Sequence, residues 1–168
     1  MKFVATLSAL TSPSELSALS GLEFMRGMLE GRLPAPPICK TLGYALESIE
    51  LGRACFIGQP SFDVLNPFGS VHGGWFGTLI DSCMASAVQS HLTAGQSCMT
   101  LEFKVNILRG LTPDSGPVRA IGTTVHVGRK TGIAEGRIIG VADGKTYATG
   151  STTCIIFADP GPDKEQPK

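Results

Sequence analysis

Hydrophobic residues recur along the chain at two spacings, one typical of helices and one typical of strands. At 14–30, leucines and methionines return every three or four positions after a Ser-Pro-Ser segment and end before Gly31, which predicts one amphipathic N-terminal helix. A proline-rich link at 33–37 leads to two short strand-like runs at about 41–50 and 53–60. The first third of the chain therefore predicts a helix followed by a pair of strands.

A long apolar segment and four further strand-like runs make up most of the rest. The segment at about 74–92 is apolar nearly all round, and a helix of about 19 residues would extend roughly 28 Å. The four runs lie at about 98–108, 117–128, 132–142 and 145–157. Between the last two, the Asp143-Gly144 pair predicts a type I′ hairpin.

This order of elements predicts an α+β fold in which an antiparallel sheet packs against one long helix. Because the helix is apolar on several sides, we expect a second subunit to cover what its own sheet leaves open. The expected divisions are an N-terminal helical extension at 1–33, one main domain at 34–158 and a flexible C-terminal tail at 159–168.

Composition narrows the classes of function. The 168 residues, 42% of them hydrophobic, are enough for one core, and 14 basic residues balance 14 acidic ones. We therefore expect neither nucleic acid nor a membrane as a partner. Five cysteines, an odd number without a Cys-x-x-Cys pair, argue against a disulfide framework and against a zinc site. We therefore expect no metal. Because the sequence has no clear signal peptide or transmembrane run, we also expect a cytoplasmic protein.

Asp81 is the charge that most needs an explanation. It is the only charged residue between His72 and His91, in a stretch that otherwise predicts an apolar helix. None of the residues one helical turn away can neutralise it: Gly77, Thr78, Met84 and Ala85. A lone carboxylate among apolar side chains costs several kcal/mol or has a raised pKa, and such sites are often functional. The alternative interpretation is that Asp81 is an ordinary helix residue whose side chain faces solvent.

The segment at 66–74 comes directly before this helix and is rich in glycine. Glycines expose backbone N–H groups, and a helix N-terminus concentrates positive potential, so the segment predicts a cradle for an oxyanion. A carboxylate and an oxyanion cradle therefore lie close together in the sequence.

These features resemble the hotdog-fold acyl-coenzyme A (CoA) thioesterases, in particular the PaaI-like group associated with phenylacetate degradation. The resemblance covers most of the chain and rests on an ordered set of motifs. The motifs are Asn66-Pro67-x-Gly69-x-Val71-His72-Gly73-Gly74, Asp81 nine residues after the histidine, Thr100-Leu101-Glu102-Phe103-Lys104-Val105-Asn106, Val125-His126-Val127-Gly128-Arg129-Lys130, and Gly144 before the closing strand.

The resemblance implies a curled antiparallel sheet wrapped around the long central helix, with the N-terminal helix as an addition. It also implies a homodimer or a dimer of dimers with active sites at the subunit interface. The implied reaction is hydrolysis of an acyl-CoA or aryl-CoA thioester. CoA is part of that substrate, so no separate cofactor is expected.

The resemblance further implies roles for individual residues. Asp81 would attack the thioester or activate water, and the Gly73 N–H would polarise the carbonyl. Asn66 would support the carbonyl or the water, and Thr100 would orient the water; a turn role for Asn66 and a structural role for Thr100 stay open. His72 could act as a general base, although in similar proteins this histidine mostly shapes the turn before the helix.

CoA carries phosphates on a long arm, so its site should offer cations on a loop. Arg129 and Lys130, in a predicted turn between strands, are the first candidates, and Arg109 is the next. Solvated turn charges are the alternative. Three aromatic residues would line an acyl pocket or belong to the core: Phe68, Trp75 and Phe76.

Two other functions compete with hydrolysis. Hotdog hydratases acting on enoyl thioesters are similar around Asn66-Pro67, but they place an aspartate just before that pair, whereas here Asp63 is three residues ahead. A non-catalytic acyl-thioester binding module would not need Asp81. The sequence leaves open the acyl group, the choice between CoA and a carrier protein, and dimer against tetramer.

Overall fold

The computed structural model describes residues 2–158, so the tail predicted at 159–168 lies outside the described residues. The helices and strands are α1 (Pro13–Ser17), α2 (Gly21–Leu29), α3 (Pro37–Leu42), β1 (Tyr44–Glu50), β2 (Arg53–Gly58), α4 (Gly73–Gln89), β3 (Gln96–Ile107), β4 (Val118–Val127), β5 (Thr131–Gly140) and β6 (Thr146–Ala158). Short 3₁₀ helices lie at Leu7–Ala9, Phe62–Val64 and Pro113–Ser115. No helix in the described range has the length and hydropathy that a membrane span needs.

The strands form one antiparallel sheet in the order β1-β2-β4-β5-β6-β3. Helix α4 packs against this sheet and contacts all of its strands. The curled sheet around a central helix confirms the predicted α+β class and the hotdog arrangement that the resemblance implied. Strand β3 forms one edge of the sheet, where β6 is its sole neighbour among the described residues.

Glycines on the sheet allow α4 to lie close to it. A Cβ at Gly122 on β4 would collide with the backbone carbonyl of Cys83, and a Cβ at Gly136 on β5 would lie 2.8 Å from Met84. This close approach buries the side chains of α4 that face the sheet: Phe76, Leu79, Ile80, Cys83, Met84, Ala87 and Val88.

One stripe of α4 remains partly exposed within a single chain. It consists of Thr78, Asp81, Ser82, Ala85, Ser86 and Gln89, which share one side of the helix at helical spacing. Helix α2 of the N-terminal extension packs beside one end of this stripe and against β1. A single chain therefore does not bury α4 on all sides, and cover by a second subunit stays a prediction.

The single N-terminal helix predicted at 14–30 is wrong, because the chain forms two short helices there. The Ser20 hydroxyl accepts a hydrogen bond from the Glu23 N–H, and the Glu23 carboxylate accepts one from the Ser20 N–H, so this capping box starts α2. Ser12 and Glu15 start α1 in the same way. Side-chain caps thus interrupt a hydrophobic spacing that continues through both helices.

The first strand begins later than predicted, because α3 occupies residues assigned to the proline-rich link and the strand start. Proline suits the first turn of this helix, since its missing N–H has no intrahelical partner there. The helix ends at Gly43, whose φ of 66° is left-handed and therefore favours glycine. Strand β1 begins at the next residue.

The predicted type I′ turn at Asp143-Gly144 is also wrong, although a hairpin does join β5 to β6. A type I′ turn needs positive φ at both residues, and of these two Gly144 alone has it, at 65°. The Asp143 carboxylate instead accepts hydrogen bonds from the Lys145 N–H, at 3.1 Å, and from the Tyr147 hydroxyl, at 3.0 Å. The Asp143 side chain therefore stabilises this longer connection, and the Asp-Gly motif does not predict such hydrogen bonds.

Candidate active site

Asp81 lies on the partly exposed stripe of α4, beside the edge strand β3. The Thr100 hydroxyl donates a hydrogen bond to Asp81 Oδ1 at 2.9 Å. Burial raises the pKa of the Asp81 carboxyl above its usual range, and the hydrogen bond from Thr100 partly opposes this shift. None of the ion pairs among the described residues involves Asp81. The site therefore offers a carboxylate of increased basicity that is oriented by one hydroxyl.

His72 caps the N-terminus of α4. Its ring Nδ1 accepts a hydrogen bond of 2.9 Å from the Gly74 backbone N–H, and the His72 backbone N–H donates to the Val64 carbonyl at 2.8 Å. The first bond occupies the lone pair that a general base would need at Nδ1 and leaves Nε2 as the remaining nitrogen. The geometry suits the turn-shaping role better than proton transfer.

Gly73 is the first residue of α4, and its N–H has no hydrogen-bond acceptor among residues 2–158. The residue is exposed, and a Cβ placed on it would lie 3.4 Å from Ile107. A free donor at a helix N-terminus suits an oxyanion, because the helix dipole adds to the hydrogen bond. Gly73 thus forms a donor site at the end of α4.

Asn66 organises the loop before α4. Its Oδ1 accepts hydrogen bonds from the N–H groups of Phe68, at 2.9 Å, and Ser70, at 3.2 Å. This is the turn role that the sequence left open. The side-chain NH₂ makes no hydrogen bond within the described part of the chain, so it is the group left to contact a ligand.

Gly73 and Asp81 do not meet within one chain. They are eight residues apart on a straight helix, which corresponds to about 12 Å of axial rise. Gly73 lies beside Ile107 at one end of β3, whereas Asp81 contacts Thr100 toward the other end. A thioester carbonyl cannot touch both groups of the same chain.

The basic residues proposed for phosphate binding also lie in two places. Arg129 and Lys130 are exposed in the turn between β4 and β5, where the Lys130 carbonyl accepts a hydrogen bond from the Ile156 N–H. Arg109 lies after β3, where its backbone N–H donates to the Tyr147 carbonyl and its guanidinium donates to the Thr146 carbonyl. Tyr147 and Ile156 are nine residues apart on β6, roughly 30 Å of extended strand. One chain therefore does not gather these cations into one cluster.

The three aromatic residues named from the sequence divide between loop and core. Phe68 is 92% exposed at the tip of the loop before α4. Trp75 and Phe76 are buried, and the Trp75 indole N–H donates to the Leu42 carbonyl at 2.8 Å. Phe68 is thus the one of the three that is free to contact a ligand, while the other two belong to the core.

Sequence reasoning missed two features beside Asp81. The Tyr44 hydroxyl and Ser82 Oγ lie 3.1 Å apart, and burial raises the pKa of Tyr44, which keeps this hydroxyl protonated. An apolar cleft also opens between α2 and α4. Helical spacing showed that the N-terminal segment has an apolar face, but it could not show that this face leaves space unfilled.

Comparison with known proteins supplies an independent line of evidence. A family model described as the thioesterase superfamily matches residues 68–146. The chain is 40% identical over 93 residues to a predicted esterase, PA1618, of Pseudomonas aeruginosa, a match that covers 54% of this chain and 61% of that protein. This match spans less than two thirds of the Pseudomonas protein.

Two further relatives are covered over more of their length. The predicted esterase ComA2 of Bacillus subtilis is 36% identical over 97 residues, or 56% of this chain and 74% of that protein. The solved structure of a predicted thioesterase related to phenylacetic acid degradation, from Ralstonia eutropha, superimposes with a TM-score of 0.71 and 30% identity. This superposition covers 79% of this chain and 98% of the Ralstonia chain.

Proposed function

The chain belongs to the thioesterase superfamily, and from that premise we propose that it hydrolyses the thioester bond of an acyl-CoA or aryl-CoA. The observation that carries this proposal is Asp81, a half-buried carboxylate without a cationic partner in the described chain, held by Thr100 on the open stripe of the central helix. A non-catalytic binding module would have no use for such a carboxylate, because an uncompensated buried charge is costly.

The proposed reaction needs a nucleophile and a donor for the developing oxyanion. Asp81 either removes a proton from the water molecule that attacks the carbonyl carbon, or attacks that carbon itself; in the second route the acyl-aspartyl anhydride left after the thiol departs is hydrolysed by water, which releases the acid and regenerates Asp81. The tetrahedral intermediate then collapses, the C–S bond breaks, and the CoA thiolate takes up a proton. The free Gly73 N–H is the proposed oxyanion donor, and one such donor is worth roughly 10²–10³ in rate.

The 12 Å separation of these groups along α4 leads us to infer that two copies of the chain form each site. Strand β3 offers an edge for pairing, and it exposes the apolar side chains of Met99, Leu101 and Phe103. If β3 pairs antiparallel with its own copy, the Thr100 end of one strand lies beside the Ile107 end of the other. Asp81 of one chain would then face Gly73 of the second.

The finer parts of the proposal concern substrate binding and location. Arg129 and Lys130 are proposed to hold CoA phosphates, because they are exposed and, among the described residues, make no side-chain ion pair. All five cysteines are free thiols, which suits the cytoplasm that the sequence predicted. The substrate panel described next also tests whether the acyl group is carried by CoA or by a carrier protein.

A substrate panel tests the proposal. Acetyl-, octanoyl-, benzoyl- and phenylacetyl-CoA, and octanoyl carrier protein, are each supplied to the purified protein, and thiol release is measured. We expect turnover of at least one CoA ester. Hydration of crotonyl-CoA, followed by loss of its conjugated absorbance, would instead identify a hydratase. Tight binding of acyl-CoA without release of thiol would identify a binding module.

A further inference from the structure

We propose that the N-terminal extension builds the acyl-binding pocket of the site, and that this pocket takes a neutral, apolar acyl group of arylacetyl or medium-chain size. This inference rests on the proposed thioesterase function, since it names the substrate class of the same site. It is carried by the cleft between α2 and α4, by its distance from Asp81 and by the nature of its walls.

The cleft has a volume of about 290 Å³ and three walls. Leu19, Phe24 and Met25 of the extension form one wall. Ala85 and Ser86 on the open stripe of α4 form the second, and the start of β3 forms the third. A second cavity of about 150 Å³ shares Met25, Ala85 and Ser86 and continues along α4 to Ser82. The two cavities lie side by side along the helix and together border a mainly apolar space.

This space begins beside the proposed catalytic carboxylate. Ala85 is one helical turn beyond Asp81 on the same side of α4, so their Cβ atoms are about 5–6 Å apart. Cys98, in the third wall, is two residues before Thr100 on β3 and therefore points to the same face of the strand. An acyl chain whose carbonyl lies at Asp81 would enter the cleft directly.

The walls decide which acyl group fits. No charged side chain of the described residues lines the larger cavity, so an acyl group with a second carboxylate would lose hydration without gaining a cationic partner. An apolar cavity of about 150 Å³ holds a benzene molecule, so 290 Å³ has room for an aromatic ring with its linker or for a medium straight chain. An acetyl group would leave most of the space empty.

The extension is fixed against the end of α4. The Gly21 N–H donates to the Leu92 carbonyl at 2.9 Å, and the Gly95 N–H donates to the Ser17 carbonyl at 2.8 Å. A Cβ at Gly21 would collide with the Gln89 carbonyl, so α2 approaches α4 as closely as backbone allows. The wall residues of the extension lie outside the family match at 68–146, so the shared segment alone does not define this pocket.

Two substitutions that fill the pocket from opposite walls test the proposal. Ser86→Phe does so from α4, and Leu19→Trp does so from the extension. Each should lower the ratio of kcat/KM for octanoyl-CoA or phenylacetyl-CoA to that for acetyl-CoA by roughly 10–200-fold, the usual discrimination of an apolar pocket. Arg26→Ala, on the exposed side of α2, is the matched control and should leave the ratio unchanged.

Binding of an octyl-CoA thioether, which cannot be hydrolysed, separates failure of this inference from failure of the proposed function. If the parent hydrolyses no thioester but both variants bind the thioether at least tenfold more weakly than the parent does, the pocket is supported and the thioesterase activity is refuted. If the parent hydrolyses octanoyl-CoA and the ratio stays within threefold in both variants, the pocket is refuted. Circular dichroism shows whether each variant has folded. If one has not, the pocket is tested with the other variant and with Phe24→Ala, which enlarges the pocket.

Discussion

Asp81 is half-buried, which destabilises its charge, whereas the proposed reaction requires that charge. Asp81→Asn keeps the shape and the acceptor for the Thr100 hydroxyl but removes the charge. Because burial disfavours the carboxylate, the variant should melt at the same temperature as the parent or higher. Its kcat on the best thioester of the panel should fall by about 10²–10⁴-fold. Turnover within threefold of the parent would make Asp81 a structural residue.

The same burial predicts a pH dependence. The pKa of Asp81 is raised in the folded chain, so as pH rises from the usual aspartate range the unfolded chain ionises first and the folded chain loses stability. The parent should therefore be less stable than Asp81→Asn above the raised pKa, and the difference should shrink as pH falls through it. The parent's kcat should rise with pH through that raised pKa. Denaturant unfolding and kcat measured across pH check both trends; a stability difference that does not change with pH contradicts the first.

For single residues, the sequence predicts the absence of a cation beside a charge better than it predicts a hydrogen-bond partner. The isolation of Asp81 follows from helical spacing, because neighbours one turn away can be counted. The turn role of Asn66 depends on the backbone path of the loop, which brings the N–H groups of Phe68 and Ser70 to its side chain. Composition and spacing cannot supply that path, so both roles had to stay open.

At the element scale, the contact between α4 and β4 depends on a glycine. Gly122→Ala would place a methyl group against the Cys83 carbonyl, a backbone atom that cannot move aside, so we expect a loss of about 1–3 kcal/mol or more in the free energy of unfolding. Gly110→Ala is the matched control, because a Cβ there meets no atom within 4 Å. Urea unfolding of both variants measures the difference; equal stabilities would show that the helix shifts away without cost.

The turn between β4 and β5 carries the proposed phosphate contacts. Changing Arg129 and Lys130 together to alanine should raise KM for CoA esters with little change in kcat, since contacts far from the carbonyl stabilise substrate and transition state equally. Inhibition by free CoA should weaken in parallel, while Arg26→Ala should change neither quantity. If KM is unchanged in the double variant, these two residues do not contact the phosphates.

Elements were predictable where one signal dominated. The long helix and the antiparallel strands follow from sustained hydrophobic spacing, because each extends over many residues. The Ser20-x-x-Glu23 motif is typical of a helix start and indicates the break between α1 and α2. The hydrophobic spacing continues across this break, however, and favoured one helix. The type I′ turn predicted at Asp143-Gly144 was wrong because Gly144 alone of the two is left-handed, while the Asp143 side chain accepts a hydrogen bond from the Lys145 N–H.

For the whole molecule, neither the sequence spacing nor the fold of one chain brings the two proposed catalytic groups together. Sequence placed Gly73 and Asp81 in one short segment, and the structure shows that a helix keeps them about 12 Å apart. If a second chain contributes one of these groups, as we propose, a signal local to one chain cannot reveal it. The resemblance supplied the dimer as an expectation, and the exposed edge of β3 is where we propose that the two chains meet.

Two inactive variants can show whether two chains form each site. Asp81→Asn removes the carboxylate, and Gly73→Pro removes the N–H donor at a helix position where proline is well tolerated. If one chain supplies Asp81 and the other Gly73, a mixed dimer contains one site in which both groups are intact. Random co-assembly should then restore about a quarter of parental activity, because half of the dimers are mixed and each has one working site of two.

The co-expressed variants carry different affinity tags, so that the mixed dimer can be purified and its kcat per site measured. Each variant expressed alone provides the background and should remain near it. If both groups of a site came from the same chain, every site of the mixed dimer would lack one of them, and co-expression would restore nothing. Activity in the purified mixed dimer would thus require that Asp81 and Gly73 act across the interface, whereas a mixed dimer as inactive as its parents would refute the two-chain site.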